Sequence, residues 1–151
     1  MGFLTSLHIT ASALTAQRLR MDVIANNVAN AETTRTAAGG PSRREQVVFM
    51  PIEARPPFRL PPLVAARRGQ ASLGAGGVQV VQVVEDPTPG PTLYQPDHPD
   101  ADENGFVTYP NINLVTEMTD LLSATRSYEA NVTVANAAKS MALRALDIGR
   151  V

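Results

Sequence analysis

The run NINLVTEMTDLLSATRSYEANVTVANAAKSMALRALDI, residues 111–148, contains neither proline nor glycine. Asn111 or Asn113 can cap its start, and Glu117 and Asp120 fall in the early turns, where free N–H groups favour a carboxylate. Leu114, Met118, Leu121, Thr125, Tyr128, Val132 and Ala135 then recur alternately four and three residues apart, which brings them to one helix face. Thr125 still offers a methyl group to such a face. Beyond Ala135 the stripe moves to Ala138, Met141, Ala145 and Ile148, the drift expected when the helical period slightly exceeds the heptad spacing. A helix over 113–148 is about 54 Å long at about 1.5 Å per residue. A chain of 151 residues does not comfortably bury that length in one globule.

A second run of the same kind opens the chain. All twelve prolines lie between Pro41 and Pro110, so only residues 1–38 and 111–151 are free to form long helices. In the first of these, Leu4, Leu7, Ala11, Leu14, Arg18, Met21, Ala25 and Val28 form a seam that only Arg18 interrupts. Asn26, Asn27 and Asn30 cluster where the pattern stops, and asparagine tolerates helix-ending conformations, so the helix is expected to end near residues 29–32. Residues 111–151 hold seven alanines, which permit close helix approach but give little apolar area per contact. Two such helices pressed together want further copies or similar helices around them. The alternative is an ordinary two-helix core closed by the middle of the chain.

The middle, residues 35–110, is rich in proline and glycine. Residues 46–49 read as a short strand and 77–84 as a longer one, since both are rich in β-branched side chains. Residues 54–76, with Pro56-Pro57, Pro61-Pro62 and four arginines, read as a mobile loop. Residues 85–104 carry six acids and no Lys or Arg, which reads as solvated loops or as a charge-matched contact between subunits. The expected fold is mainly α with a small β middle, its long terminal helices packed as a coiled-coil-like pair.

Composition narrows the chemistry. Thirteen basic and fourteen acidic residues leave a net charge of -1, which argues against bulk nucleic-acid or anionic-membrane binding. The absence of cysteine removes disulfides, thiolate zinc sites and cysteine nucleophiles. Residues 1–17 are uncharged but broken by polar side chains, with no basic start, and so resemble neither a cleavable signal nor a membrane span. Asp100-Ala101-Asp102-Glu103-Asn104-Gly105 matches the first half of a calcium loop, but the twelfth position is Asn111, which cannot give the bidentate carboxylate. A tight turn is the better reading. His98 sits among acids with no nucleophile beside it, and Gly74-Ala75-Gly76-Gly77 precedes a strand where a phosphate loop precedes a helix. No catalytic residue, cofactor or metal is expected.

Longer motifs say more. Residues 12–17 (SALTAQ) running on to 26–34 (NNVANAETT) resemble the N-terminal signature of bacterial flagellar rod and hook proteins. Residues 109–113 (YPNIN), 123–131 (SATRSYEAN), 136–143 (NAAKSMAL) and 148–150 (IGR), with 98–102 (HPDAD), resemble the proximal rod proteins within that family. The resemblance implies a non-enzymatic rod subunit that assembles with itself and other rod proteins and transmits torque from motor to hook. It implies export by the flagellar type III apparatus into the cell envelope, with residues 1–34 and 111–151 as the rod core and 35–110 outside them. The alternative is a monomeric secreted adaptor or cap-type protein that shares the helices. Leu7, Leu14, Met21, Met118, Leu121, Tyr128, Val132 and Met141 are then the expected packing residues of the assembly, within one subunit or between subunits. Asn26, Asn27 and Asn30 would fix the end of the first helix or bond across subunits.

Overall fold

The computed structural model describes residues 3–53 and 75–149. Two long helices, α1 (Phe3–Ala29) and α2 (Leu114–Ile148), bracket four strands. These are β1 (Glu45–Glu53), β2 (Ala75–Glu85), β3 (Thr92–Tyr94) and β4 (Phe106–Thr108). α1 ends where the asparagines gather: Asn30 donates its backbone N–H to the Asn26 carbonyl at 3.0 Å, and its side-chain amide reaches the same oxygen at 3.0 Å. Asn113 caps α2, its Oδ1 accepting from Val115 N at 3.0 Å and Thr116 N at 3.2 Å. Among the described residues no helix is long and apolar enough to cross a membrane.

The helices lie side by side and antiparallel. Asn27 meets Glu117, and six residues earlier on α1 Met21 meets Thr125, whose hydroxyl lies 3.7 Å from the methionine sulfur. Small side chains mark the contact: Ala16 on α1 and Ala124 and Ala138 on α2 are buried. Buried Thr10 donates its hydroxyl to the Ser6 carbonyl at 3.0 Å, so its polar group costs nothing where it sits.

One expectation needs correction. The buried stripe of α1 runs through Thr10, Ala16, Val23, Ile24 and Asn27, rotated from the predicted seam. Of that seam Leu4, Ala11, Arg18 and Ala25 are exposed, while Leu7, Leu14, Met21 and Val28 lie half-buried along its flank. The reason is that α1 has two surfaces to cover, α2 on one side and the β1–β2 hairpin on the other. A heptad read against a single partner settles between the two. On α2 the predicted seam holds from Leu121 to Ala138, but Leu114, Met118, Met141 and Ile148 stand exposed.

β1 and β2 pair antiparallel, with Glu45 opposite Glu85, Val47 opposite Val83 and Pro51 opposite Val78, and the register slips between Val48 and Phe49. Pro51 is tolerated because a two-stranded sheet leaves β1 an open edge. The sheet packs on α1 so closely that Gly77, at φ +108°, could not carry a Cβ without meeting the Ser12 hydroxyl. That hydroxyl accepts from Val78 N at 3.1 Å and donates to the Ile9 carbonyl at 2.7 Å. β2 therefore begins at Ala75, inside the span read as loop. The rest of that predicted loop, residues 54–74, lies outside the described residues.

β3 and β4, which the sequence reading passed over, form a second two-stranded sheet with Tyr94 edge-on to Phe106 at 5.4 Å between ring centres. Their connection contains the calcium-like stretch. Asp102 Oδ1 accepts from Asn104 N at 2.9 Å and Phe106 N at 2.8 Å, and Gly105 adopts φ +79°. The segment is thus a self-capped turn. Asp100 turns elsewhere, accepting from the Thr34 hydroxyl at 2.7 Å and lying 3.5 Å from Arg35, which ties this turn to the chain just past α1.

Candidate assembly interface

Two surfaces on the helix pair differ in kind. The first is a polar cluster where α1 ends, β1 begins and α2 begins. Asn27, 2 % exposed, uses both ends of its side-chain amide on the main chain of Glu45. Its Oδ1 accepts from Glu45 N at 2.9 Å and its Nδ2 donates to Glu45 O at 2.8 Å, the pairing a neighbouring strand would supply. The remaining Nδ2 proton goes to Glu117 Oε2 at 3.1 Å. Glu117, 1 % exposed, receives Arg44 Nε on its other oxygen at 2.6 Å. Asp120 completes the group, 3.7 Å from Arg44 and 3.6 Å from Arg20. A buried carboxylate is tolerated when both of its oxygens have donors, and here they do.

Of this cluster only Asn27 was singled out from the sequence, as a helix-ending or cross-subunit residue; the structure has it bonding within the chain. By position alone Glu117 is an ordinary early-turn acid. One signal was present: Glu117 lies four residues before Leu121, at the edge of the predicted seam, where a solvated acid is not expected. Arg44, its partner, sits just before a predicted strand, and nothing in its local spacing points to α2.

The second surface is apolar. Leu114, Val115, Met118 and Leu122 are 48 %, 74 %, 56 % and 61 % exposed, along one side of the first turns of α2. Val134, Met141, Leu143, Leu146 and Ile148 continue the exposure toward its C-terminal end, with Leu4 exposed near the start of α1. Large apolar side chains exposed in groups of this kind mark surfaces that other chains cover.

The residues expected at an assembly interface divide between these environments. Leu7, Leu14, Met21, Leu121, Tyr128 and Val132 are half-buried, Met21 in contact with Thr125 of the facing helix, and Asn27 is buried in the cluster. Met118, Met141 and Asn26 are exposed, and Asn30 is half-buried at the end of α1. No group of three or more His, Cys, Asp or Glu that could hold a metal occurs among the described residues. The cleft lined by Arg20, Val23, Ile24, Arg44, Phe49 and Glu117 has its charged groups paired with one another.

Helices that expose this much apolar surface, at the two ends of one chain, are a design for packing among other helices, and the comparisons name the class. Residues 7–35 match the family described as flagella basal body rod protein, and residues 103–148 match that described as flagellar basal body rod FlgEFG protein C-terminal. The flagellar basal-body rod protein FlgC of Borreliella burgdorferi is 45 % identical, over 98 % of this chain and 98 % of its own. Those of Bacillus subtilis and Yersinia enterocolitica are 42 % and 41 % identical, over 96 % and 99 % of this chain and 97 % and 100 % of theirs. The chain belongs to the FlgC family, the rod proteins of the bacterial flagellar basal body.

Proposed function

We propose that the chain is a structural subunit of the proximal part of the flagellar rod, held there by its helix pair and transmitting torque through it. Residues 1–34 and 111–151 act as the assembling core, and residues 35–110 lie outside it. The observation that carries this reading is the apolar side chains left exposed toward both ends of α2, Leu114, Val115, Met118 and Leu122 at one and Met141, Leu143, Leu146 and Ile148 at the other, in a chain related to rod proteins from end to end. A monomer gains nothing by exposing Leu146 and Ile148 at 70 % and 78 %. A subunit packed among copies of itself and other rod proteins recovers about 25 cal/mol for each Å² of that surface it buries.

Within this reading Leu7, Leu14, Met21, Leu121, Tyr128 and Val132 hold the pair together in coiled-coil fashion, and Met118 and Met141 face neighbouring subunits. Asn26, exposed one residue before the polar cluster, holds Asn30 Nδ2 on its Oδ1 at 2.9 Å and reaches Glu45 Oε2 at 3.4 Å, so a bond across the subunit boundary would exchange these exposed contacts for new ones. Passage through the flagellar type III export apparatus brings the chain to the envelope. No catalytic step belongs to this function; rigidity does the work, through many close contacts between Ala-rich helices.

Mass spectrometry of detergent-washed hook-basal bodies tests it. Recovery of this chain in fixed proportion to the other rod proteins is the expected result. Its absence from them, with the chain found free in the medium, would favour a secreted adaptor.

A further inference from the structure

The β1–β2 hairpin packs its backbone against α1 and makes no comparable contact with α2. Among the described residues, what joins the two is side-chain chemistry at one place. Arg44, which enters β1, donates Nε to Glu117 of α2 at 2.6 Å and approaches Asp120 of α2 at 3.7 Å. Asn27 of α1 stands between them, with one Nδ2 proton on the Glu45 carbonyl and the other on Glu117. Each of the three elements supplies a group that another needs. If α2 leaves, Arg44 loses its carboxylates and Asn27 loses an acceptor. If β1 leaves, Glu117 keeps one donor for two buried oxygens, a state that a nearly inaccessible carboxylate does not tolerate.

We propose that Asn27, Arg44 and Glu117 form a latch through which the hairpin senses helix pairing: the start of β1 is held only while α1 and α2 lie side by side. The far end of the hairpin is held differently, by Ser12 on Val78 N and by the close approach of Gly77 to α1. That end does not depend on α2. The hairpin is therefore hinged on α1 at the Gly77 end and latched to α2 at the Glu45 end. This inference concerns the isolated chain and does not need the rod reading. Should that reading hold, neighbours that press the helices together would also close the hairpin, so the middle segment would take its final position on assembly.

The chain has no cysteine, which makes a clean test available. Met21→Cys with Thr125→Cys places two thiols where the helices touch, and a short bifunctional thiol reagent then clamps the pair. The readout is hydrogen exchange at the Glu45 amide, which Asn27 Oδ1 holds, against that at the Val78 amide, which Ser12 holds. Clamping should slow Glu45 exchange about tenfold with the latch intact and leave Val78 within about twofold. With Glu117→Gln added, clamping should no longer slow Glu45. Because that variant leaves a buried amide against Arg44, the same measurement on Arg44→Met with Glu117→Leu provides an uncharged latchless background. Equal slowing of Glu45 with and without the latch would overturn the proposal, and so would no slowing in any of the three proteins.

Discussion

The two ends of the helix pair are built on opposite principles. Where α1 ends and α2 begins, Asn27, Arg44, Glu117 and Asp120 satisfy one another, and a hairpin covers Val23 and Ile24. Where α1 begins and α2 ends, Leu4, Leu143, Leu146 and Ile148 stand in solvent, and the helix contact is made largely of alanine. The first end is specified by directional bonds and is complete in one chain. The second has apolar area and little to set direction, which suits contacts that must be shared with several neighbours. The difference separates what the chain decides by itself from what its surroundings decide.

The largest effect should come from breaking the complete end. Glu117→Ala takes from Arg44 its closest carboxylate and from Asn27 one of its two acceptors, and should cost about 3 kcal/mol in urea unfolding of the isolated chain. An effect below about 1 kcal/mol would mean that the buried cluster is not what holds that end. Ala124→Leu, at a position 1 % exposed between the helices, should cost about 1–3 kcal/mol by overpacking the contact. Asn113→Ala removes the cap of α2 and should cost about 1 kcal/mol, with loss of helicity confined to its first turns.

At the open end the comparison reverses. Leu146→Asp should change isolated-chain stability by less than about 0.5 kcal/mol, because the side chain is already in water. In the bacterium the same substitution should abolish swimming, since a charge would enter a buried contact of the assembly. Normal swimming would remove this end from the interface. The smallest effect belongs to neither end. The Asp86 carboxyl lies below its usual range because the Thr88 side chain and backbone N–H both bond to it, and Arg44 adds a weaker pull. A group with a lowered folded-state value stabilises above its unfolded value and loses that contribution as pH falls through the folded one. Thr88→Ala should therefore slightly reduce stability at neutral pH and flatten its decline in acid, read from thermal midpoints across the acid range.

How much of this was legible in residues alone follows the same division. The helix bounds came through well, because Pro110, Asn113 and the cluster at Asn26–Asn30 act locally on the backbone. The two long strands were visible in their runs of valine. The face of α1 was not, since its seam is set by α2 and by the hairpin together, and a heptad pattern assumes one partner. β3 and β4 were missed because three-residue strands flanked by prolines carry almost no periodic signal. The latch was out of reach for another reason: Arg44 and Glu117 lie 73 residues apart, and no local pattern announces a pair formed by the fold. For the assembly residues, spacing located the helix pair but did not say which side of it faces a neighbour.

One measurement bears most directly on the claim that the open end is completed by other chains. Leu146→Cys gives the cysteine-free chain a single thiol on its exposed apolar face. Its labelling rate by a small maleimide can be compared between the dilute purified chain and intact hook-basal bodies that contain it. The account predicts fast labelling in the free chain and protection of about tenfold or more in the assembled rod. Equal labelling in both would contradict it, and would leave the apolar face of α2 without the neighbours it was argued to need.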